Sequence, residues 1–164
     1  MSESEHLADA LTGLLSSAES GWFTPASLAL EGISAEQAID IPVEGFNSIA
    51  SVVMHMSYWQ EFLLRRLSGK TTDDLKNDPR QDWSSKFDPW NNQTWETVRE
   101  RLFSTNKELA ELIEKFNDEQ LQSPYIEGRA KRYQVIQGII AHNCYHTNEI
   151  ITIRHLLGLW LERV

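Results

Sequence analysis

The chain has 164 residues, of which 41% are hydrophobic and 24% are charged, so its composition is that of an ordinary globular protein with a sizeable core. With 15 basic against 24 acidic residues, the net charge is -9, which argues against a nucleic-acid surface and against binding to anionic membranes, because both attract clustered basic residues. We therefore expect one domain over residues 1–164 that binds neither nucleic acid nor a membrane.

Other features of the chain bear on its compartment. No apolar run approaches the roughly 20 residues of a membrane span. The first five residues contain two glutamates and no basic residue, whereas a signal peptide begins with basic residues and continues with apolar ones. The single cysteine, Cys144, cannot form an internal disulfide, which is typical of a reducing compartment. These features predict a cytoplasmic protein.

Apolar residues at helical spacing predict four main helices. The predicted segments are residues 3–20, 48–67, 94–116 and 133–157. Asn47 or Ser48 can cap the second helix, and Thr94 is a suitable N-cap for the third. Nothing longer than a tight turn near Tyr125 favours a strand. The predicted fold class is therefore all-α.

Two connections between these helices are long. Residues 22–45 and 70–93 contain prolines and several aromatic residues, and long connections of this kind usually cover a core or line a pocket. Ser34 followed by Gln37 has the spacing of a capping box and predicts a short helix within the first connection. Asn117, with a glutamine three residues later, predicts another short helical turn.

A pair of histidines in the last helix is the strongest candidate for a functional site. His142 and His146 are four residues apart, so they share one helix face, and that face is otherwise largely apolar. Imidazoles on an apolar face are costly unless they are hydrogen-bonded or bind an ion, which favours a divalent metal. Asn143 occupies the position where the zinc-protease pattern requires glutamate, which excludes that pattern. Cys144 lies on the opposite side of the helix and cannot share the metal.

Two further residues complete the predicted site. His55 lies on the apolar side of the second helix, with Val52, Trp59 and Phe62. It is the natural third ligand, and three protein ligands leave a position open for water or substrate. Glu149 lies near the histidine face, and three roles remain open for it: a partner that orients a ligand, a weak additional ligand, or a general base.

The chain resembles the DinB/YfiT-like superfamily. In the second helix and its approach the resemblance is carried by Phe46-Asn47-Ser48-Ile49, His55, Trp59 and Leu67-Ser68-Gly69. In the fourth helix it is carried by Gln137-Gly138-Ile139-Ile140-Ala141-His142-Asn143-Cys144-Tyr145-His146, Glu149-Ile150, Arg154 and Leu156-Leu157-Gly158. Trp22-Phe23-Thr24-Pro25-Ala26-Ser27-Leu28 and Ile33-Ser34-Ala35-Glu36-Gln37-Ala38 are similar to the first connection of that family.

The resemblance implies a four-helix bundle of up-down-down-up order with long inter-helix loops, and often a homodimer. It also implies a divalent metal, typically zinc or nickel, held by His55, His142 and His146. Relatives with known activity are thiol-dependent transferases and isomerases that use bacillithiol or mycothiol, and others are described as metal-dependent hydrolases. The family often has glycine and glutamine shortly after the last histidine, where this chain has Asn148 and Glu149.

Two functional hypotheses follow from the sequence. The first is a metal-dependent enzyme acting on a small-molecule substrate, either an S-transferase for a low-molecular-weight thiol or a hydrolase in which Glu149 takes the proton of the attacking water. The second is a non-catalytic, stress-related bundle in which the metal is structural. A third reading has three core histidines and no metal. Imidazole ligands suit zinc, nickel, copper and iron alike, so the sequence does not identify the metal.

Overall fold

The structure is a computed structural model that describes residues 1–16, 22–77, 83, 90–126 and 130–160. Within these residues the chain forms seven α-helices and a 3-10 turn over Asp74–Asn77. The helices are α1 (Glu3–Ser16), α2 (Ala26–Ala29), α3 (Ala35–Ile39), α4 (Ile49–Leu67), α5 (Asn92–Glu114), α6 (Asp118–Gln122) and α7 (Arg132–Leu156). In the described ranges β-structure is limited to an isolated bridge between Pro124 and Lys131. The predicted all-α class is confirmed.

The predicted helix boundaries agree closely with the structure at most ends. Ser48 caps α4, and Ser34 and Asn117 each form the predicted capping box at the start of α3 and α6. The N-cap predicted at Thr94 is wrong. The side chain of Asn91 accepts a hydrogen bond from the backbone N–H of Thr94, so α5 begins at residue 92. The predicted extension of the first helix over residues 17–20 lies outside the described residues.

Four long helices form the bundle. Helix α4 packs against α5 and α7, and α1 packs against the same two helices on the other side. One apolar cluster contains Leu15, Ile49, Trp95 and Ile153, which lie at the C-terminal ends of α1 and α7 and the N-terminal ends of α4 and α5. The C-terminal ends of α1 and α7 therefore lie at the same end of the bundle as the N-terminal ends of α4 and α5, and the up-down-down-up order stays a prediction.

A second apolar cluster occupies the other end of the bundle. It contains Leu7, Leu67, Ile113 and Ile136, from the opposite ends of the same four helices. Burial of these side chains supplies most of the driving force for folding, at about 25 cal/mol per Å² of apolar surface. None of the described helices combines the length and the apolar character that crossing a membrane requires.

Polar side chains lie between the two apolar clusters. Gln60 is fully buried on α4, Asn106 is buried on α5, and Asn143 is fully buried on α7. Both side-chain polar atoms of Gln60 and the Oδ1 atom of Asn106 lack a hydrogen-bond partner in the described part of the chain, while the Nδ2 atom of Asn106 donates to the backbone carbonyl of Leu11. Buried polar groups without partners lower stability, so this layer weakens the middle of the bundle.

The connection between α1 and α4 is fixed by side chains of α5 and α7. The indole nitrogen of Trp95 donates to the carbonyl of Ile33 at 2.7 Å. The buried guanidinium of Arg154 donates to the carbonyls of Ala29 and Glu31, each at 2.8 Å, and to that of Leu159 at 3.1 Å. The bonds to Ile33, Ala29 and Glu31 satisfy carbonyl groups of the connection between α1 and α4. They hold this connection against the end of the bundle from which α4 starts.

Candidate metal centre

Three histidines from two helices meet inside the bundle. His55 lies in the first half of α4, and His142 and His146 lie one turn apart on α7. The three residues each offer a ring nitrogen, and these nitrogens all lie within 4.8 Å of one another. The Nε2 atoms of His55 and His142 are 3.3 Å apart. The predicted convergence of residues 87 positions apart is therefore present in the structure.

The donor set of this cluster fits a divalent metal ion. His146 and His55 are buried, with 1% and 8% of their surface exposed. The Nε2 atom of His146 and the Nδ1 atom of His55 have no hydrogen-bond partner among the described residues. The Nε2 atoms of His55 and His142 face each other and can share only one proton, and Nε2 of His146 has no hydrogen-bond partner among the described residues. The ring nitrogens of the cluster therefore carry more lone pairs than there are protons for them to accept. A metal ion that accepted one lone pair from each ring would relieve this excess.

The pKa values of His55 and His142 are lowered well below the usual value of 6.5. Burial is the main cause that lowers the pKa of His55 to about 4, and the charges of His146 and His142 act in the same direction. Burial is also the main cause that lowers the pKa of His142 to about 4, followed by the charge of His146. Only the neutral imidazole offers a lone pair to a metal, so both rings are in the form that binds an ion.

Glu149 holds the ring of His146. Its Oε2 atom lies 2.8 Å from Nδ1 of His146, and its Oε1 atom accepts a hydrogen bond from Nδ2 of Asn47 at 2.9 Å. The bond to His146 is the main cause that lowers the pKa of Glu149, and the bond from Asn47 acts in the same direction against burial. An ionised carboxylate at Nδ1 places the proton there and leaves the lone pair of His146 on Nε2.

The geometry of Glu149 bears on the three roles that the sequence left open. Both carboxylate oxygens are engaged, which supports the role of a partner that orients a ligand; its action as a general base stays a prediction. The hydrogen bond from Asn47 to Glu149 was missed at the sequence level, where Asn47 was a candidate N-cap and part of the family motif. Asn47 lies 102 positions from Glu149, and no local spacing connects the two.

Aromatic rings surround the histidines. Trp83 stacks on His55 with 3.7 Å between ring centroids and an angle of 12° between the planes, and its edge contacts His146 at 5.1 Å. Tyr145 lies 4.0 Å from the ring of His146. Trp83 has a φ of 57°, an unusual conformation for a non-glycine residue that is often found at functional sites. Trp83 belongs to the connection over residues 70–93, for which the sequence predicted that aromatic residues cover a core or line a pocket. Its stacking on His55 agrees with that prediction.

Other residues that could bind a metal or line the site lie away from the three histidines or at the rim of the bundle. Cys144 is exposed on α7, as its position opposite the histidines predicted. His155 stacks on Trp160 at the end of α7, away from the cluster. The inward position predicted for Trp59 is wrong: 37% of its surface is exposed, because it lies at the rim of the bundle beside His55, at 6.2 Å between centroids.

The fold and the cluster together define a class of protein: an α-helical bundle with a buried three-histidine group that could hold a metal ion. A family model described as the DinB superfamily matches residues 26–150, well over half of the chain, so the chain belongs to the DinB superfamily. The resemblance seen in the sequence is confirmed. Comparisons with curated proteins and with solved structures found no significant match.

Proposed function

We propose that this protein holds a divalent metal, zinc or nickel, through His55, His142 and His146, and uses it as a metal-dependent enzyme. The observation that carries the proposal is the incomplete ligand set. The metal-binding group found among the described residues contains three histidines and no fourth protein ligand, and the nearby carboxylate of Glu149 is already bonded on both oxygens. Three-ligand sites of this kind are typical of catalytic zinc, whereas structural zinc usually has four protein ligands.

The residues of the chain have distinct tasks in this proposal. A divalent metal held by the three rings would supply Lewis-acid activation of a water or of a small thiol. Glu149 and Asn47 fix the ring of His146 so that its Nε2 atom faces the other two histidines. Trp83 covers one face of His55 and limits the access of bulk water to that side. The low pKa of His55 and His142 keeps both rings available as ligands throughout the neutral pH range.

Two reactions remain candidates for this centre. The thiol sulfur of Cys144, the single cysteine, is exposed on the other side of α7, so the chain does not bring a sulfur nucleophile to the histidines. A low-molecular-weight thiol would supply one, which favours an S-transferase acting on a small electrophilic substrate. In the hydrolase alternative a water replaces the thiol, and Glu149 takes its proton. The homodimer and the cytoplasmic location implied by the sequence stay predictions.

A non-catalytic role for the metal is the second candidate function. It is favoured by the burial of His55 and His146 and by the way the cluster joins α4 to α7. In this case the metal would connect two helices whose middle layer contains buried polar groups without partners. It would stabilise the folded state by mass action and would not need an open position.

One experiment separates the two functions. The zinc-loaded protein and its cobalt-substituted form would be titrated with a small thiol, with glycerol as a control of similar size, while the visible spectrum of the cobalt is recorded. An open position predicts a sulfur-to-cobalt charge-transfer band that saturates with the thiol and is absent with glycerol. An unchanged spectrum, together with a metal-dependent rise in melting temperature, would support the structural role.

The ligand assignment needs its own test. His146→Ala removes a buried ligand, and we expect it to lower the zinc content below a tenth of an equivalent. His155→Ala is the matched control, because that histidine lies outside the cluster, and it should keep one equivalent. Equal zinc contents in the two variants would contradict the proposed site.

A further inference from the structure

An apolar groove opens beside the metal centre between α4 and α7. Its volume is about 200 Å³. Trp59 and Phe62 form the α4 wall, Val135 and Gly138 lie on the α7 side, and His142 forms the end nearest the other histidines. None of the described residues that line it is an aspartate, glutamate, lysine or arginine.

The groove and the candidate metal centre share residues. His142 lines the groove, and its Nε2 atom lies 3.3 Å from Nε2 of His55. Trp59, on the opposite wall, contacts the ring of His55 edge-on. A molecule that filled the groove would therefore end at the histidine cluster, so the groove is the apolar approach to the site.

Gly138 keeps this groove open. It lies in the interior of α7, where a glycine makes a helix less stable than an alanine does. Its backbone has no left-handed φ that would require glycine, and a Cβ atom placed there meets nothing within 4 Å. Neither backbone geometry nor close packing explains the residue. The missing side chain does leave free space on the α7 side of the groove.

We propose that the groove binds the apolar part of the substrate, a single aromatic ring or a short alkyl chain, while the reacting group of the same molecule reaches the histidine cluster. This inference rests on the proposed function, because it places the substrate by its distance from the metal. The size follows from the volume, since an apolar protein cavity of about 150 Å³ binds benzene. The uncharged lining excludes a charged group in this part of the substrate.

The test compares two metal-binding probes on the zinc-loaded full chain. Acetohydroxamate carries the metal-binding group alone, and phenylacetohydroxamate adds one aromatic ring. Because burying an aromatic ring is favourable, we expect the phenyl probe to bind at least about tenfold more tightly, which corresponds to about 1.4 kcal/mol. Calorimetric titration gives both dissociation constants.

Two glycine variants assign this difference to the groove. Gly138→Leu fills the groove and should reduce the preference for the phenyl probe to less than about twofold, while acetohydroxamate binds as before. Gly13→Leu is the matched control, because Gly13 also lies in a helix with open space at its Cβ position but does not line the groove. It should keep the full preference. A phenyl preference that is absent in the parent protein, or that survives in Gly138→Leu, would overturn the inference.

Two additional measurements separate this inference from the proposed function and from other occupants. Titration with zinc alone tests the metal site. If zinc does not bind, fluorine NMR of 4-fluorobenzyl alcohol with the metal-free protein still reports on the groove. Broadening of the fluorine signal that Gly138→Leu abolishes would support binding of an aromatic ring in the groove. A signal that the parent protein does not broaden would overturn the inference. Sedimentation of the parent and Gly138→Leu proteins tests for a second copy of the chain. A dimer that becomes a monomer in the variant would make the groove a subunit interface and would overturn the inference.

Discussion

Replacing Glu149 by glutamine tests how the chain prepares a histidine for metal binding. The carboxylate accepts two hydrogen bonds, one on each oxygen, from His146 and Asn47. A glutamine of the same shape offers one acceptor and one donor group. Its NH₂ group must therefore face either the ring N–H of His146 or the amide NH₂ of Asn47, and donor would meet donor on one side.

The size of the effect follows from this loss. The variant gives up the charge-assisted bond that places the proton of His146 on Nδ1 and its lone pair on Nε2. Removing such a partner of a metal-bound histidine typically weakens metal binding about 10-fold to 100-fold, or about 1.4–2.7 kcal/mol. Because His146 is only 1% exposed, water has little access to replace the lost partner.

Competition with a chromophoric chelator measures the zinc affinity directly. Glu149→Gln should bind zinc at least about tenfold more weakly than the parent protein. Glu111→Gln is the matched control, because Glu111 lies on the surface of α5, where it forms only a long ion pair with Lys107, and it should not change the affinity. A zinc affinity within about twofold of the parent value would refute the positioning role. Combined with a large loss of turnover, that result would instead support Glu149 as the general base.

Three further predictions concern stability. Arg154→Ala removes a buried guanidinium that donates hydrogen bonds to three carbonyl groups. The free energy of unfolding, measured in urea, should fall by about 3 kcal/mol or more. A loss below about 1 kcal/mol would contradict the anchoring role of Arg154. Gln60→Met replaces a fully buried side chain whose two polar atoms lack partners among the described residues; it should stabilise the protein by about 1 kcal/mol, and destabilisation would show that these atoms are satisfied in solution. In the metal-free protein the pKa values of His55 and His142 are lowered from 6.5 to about 4, so the unfolded chain takes up these protons first as the pH falls. The contribution of the two neutral histidines to stability is therefore fully present above about pH 6.5 and is lost as the pH falls towards 4. The urea midpoint should be lower at pH 5 than at pH 7, by more than in a variant that lacks both histidines. The same change of midpoint in both proteins would contradict this prediction.

The sequence was sufficient to predict the bundle and the histidine cluster. Helical periodicity gave the long helices to within a few residues, because their apolar stripes are strong and their caps have recognisable spacing. The pair His142 and His146 was visible as a local pattern. His55 was predicted as the third ligand because it was the one histidine on an apolar face of another helix. The structure brings all three together.

The remaining parts of the site depend on contacts between distant segments. Asn47 and Glu149 meet across 102 positions, and neither position has a spacing that indicates a partner. Periodicity gives no direction to side chains in connections, so the stacking of Trp83 on His55 could not be predicted. The exposure of Trp59 was mispredicted because a residue near the edge of an apolar stripe is buried or exposed according to the tilt of the neighbouring helix.

The coordination of the loaded metal tests the central claim most directly. X-ray absorption spectroscopy of the zinc-loaded protein should show three imidazole nitrogens at about 2.0–2.1 Å and one further oxygen ligand. Addition of a small thiol should replace that oxygen with a sulfur at about 2.3 Å. Fewer than three imidazoles, or a sulfur ligand before any thiol is added, would contradict the account.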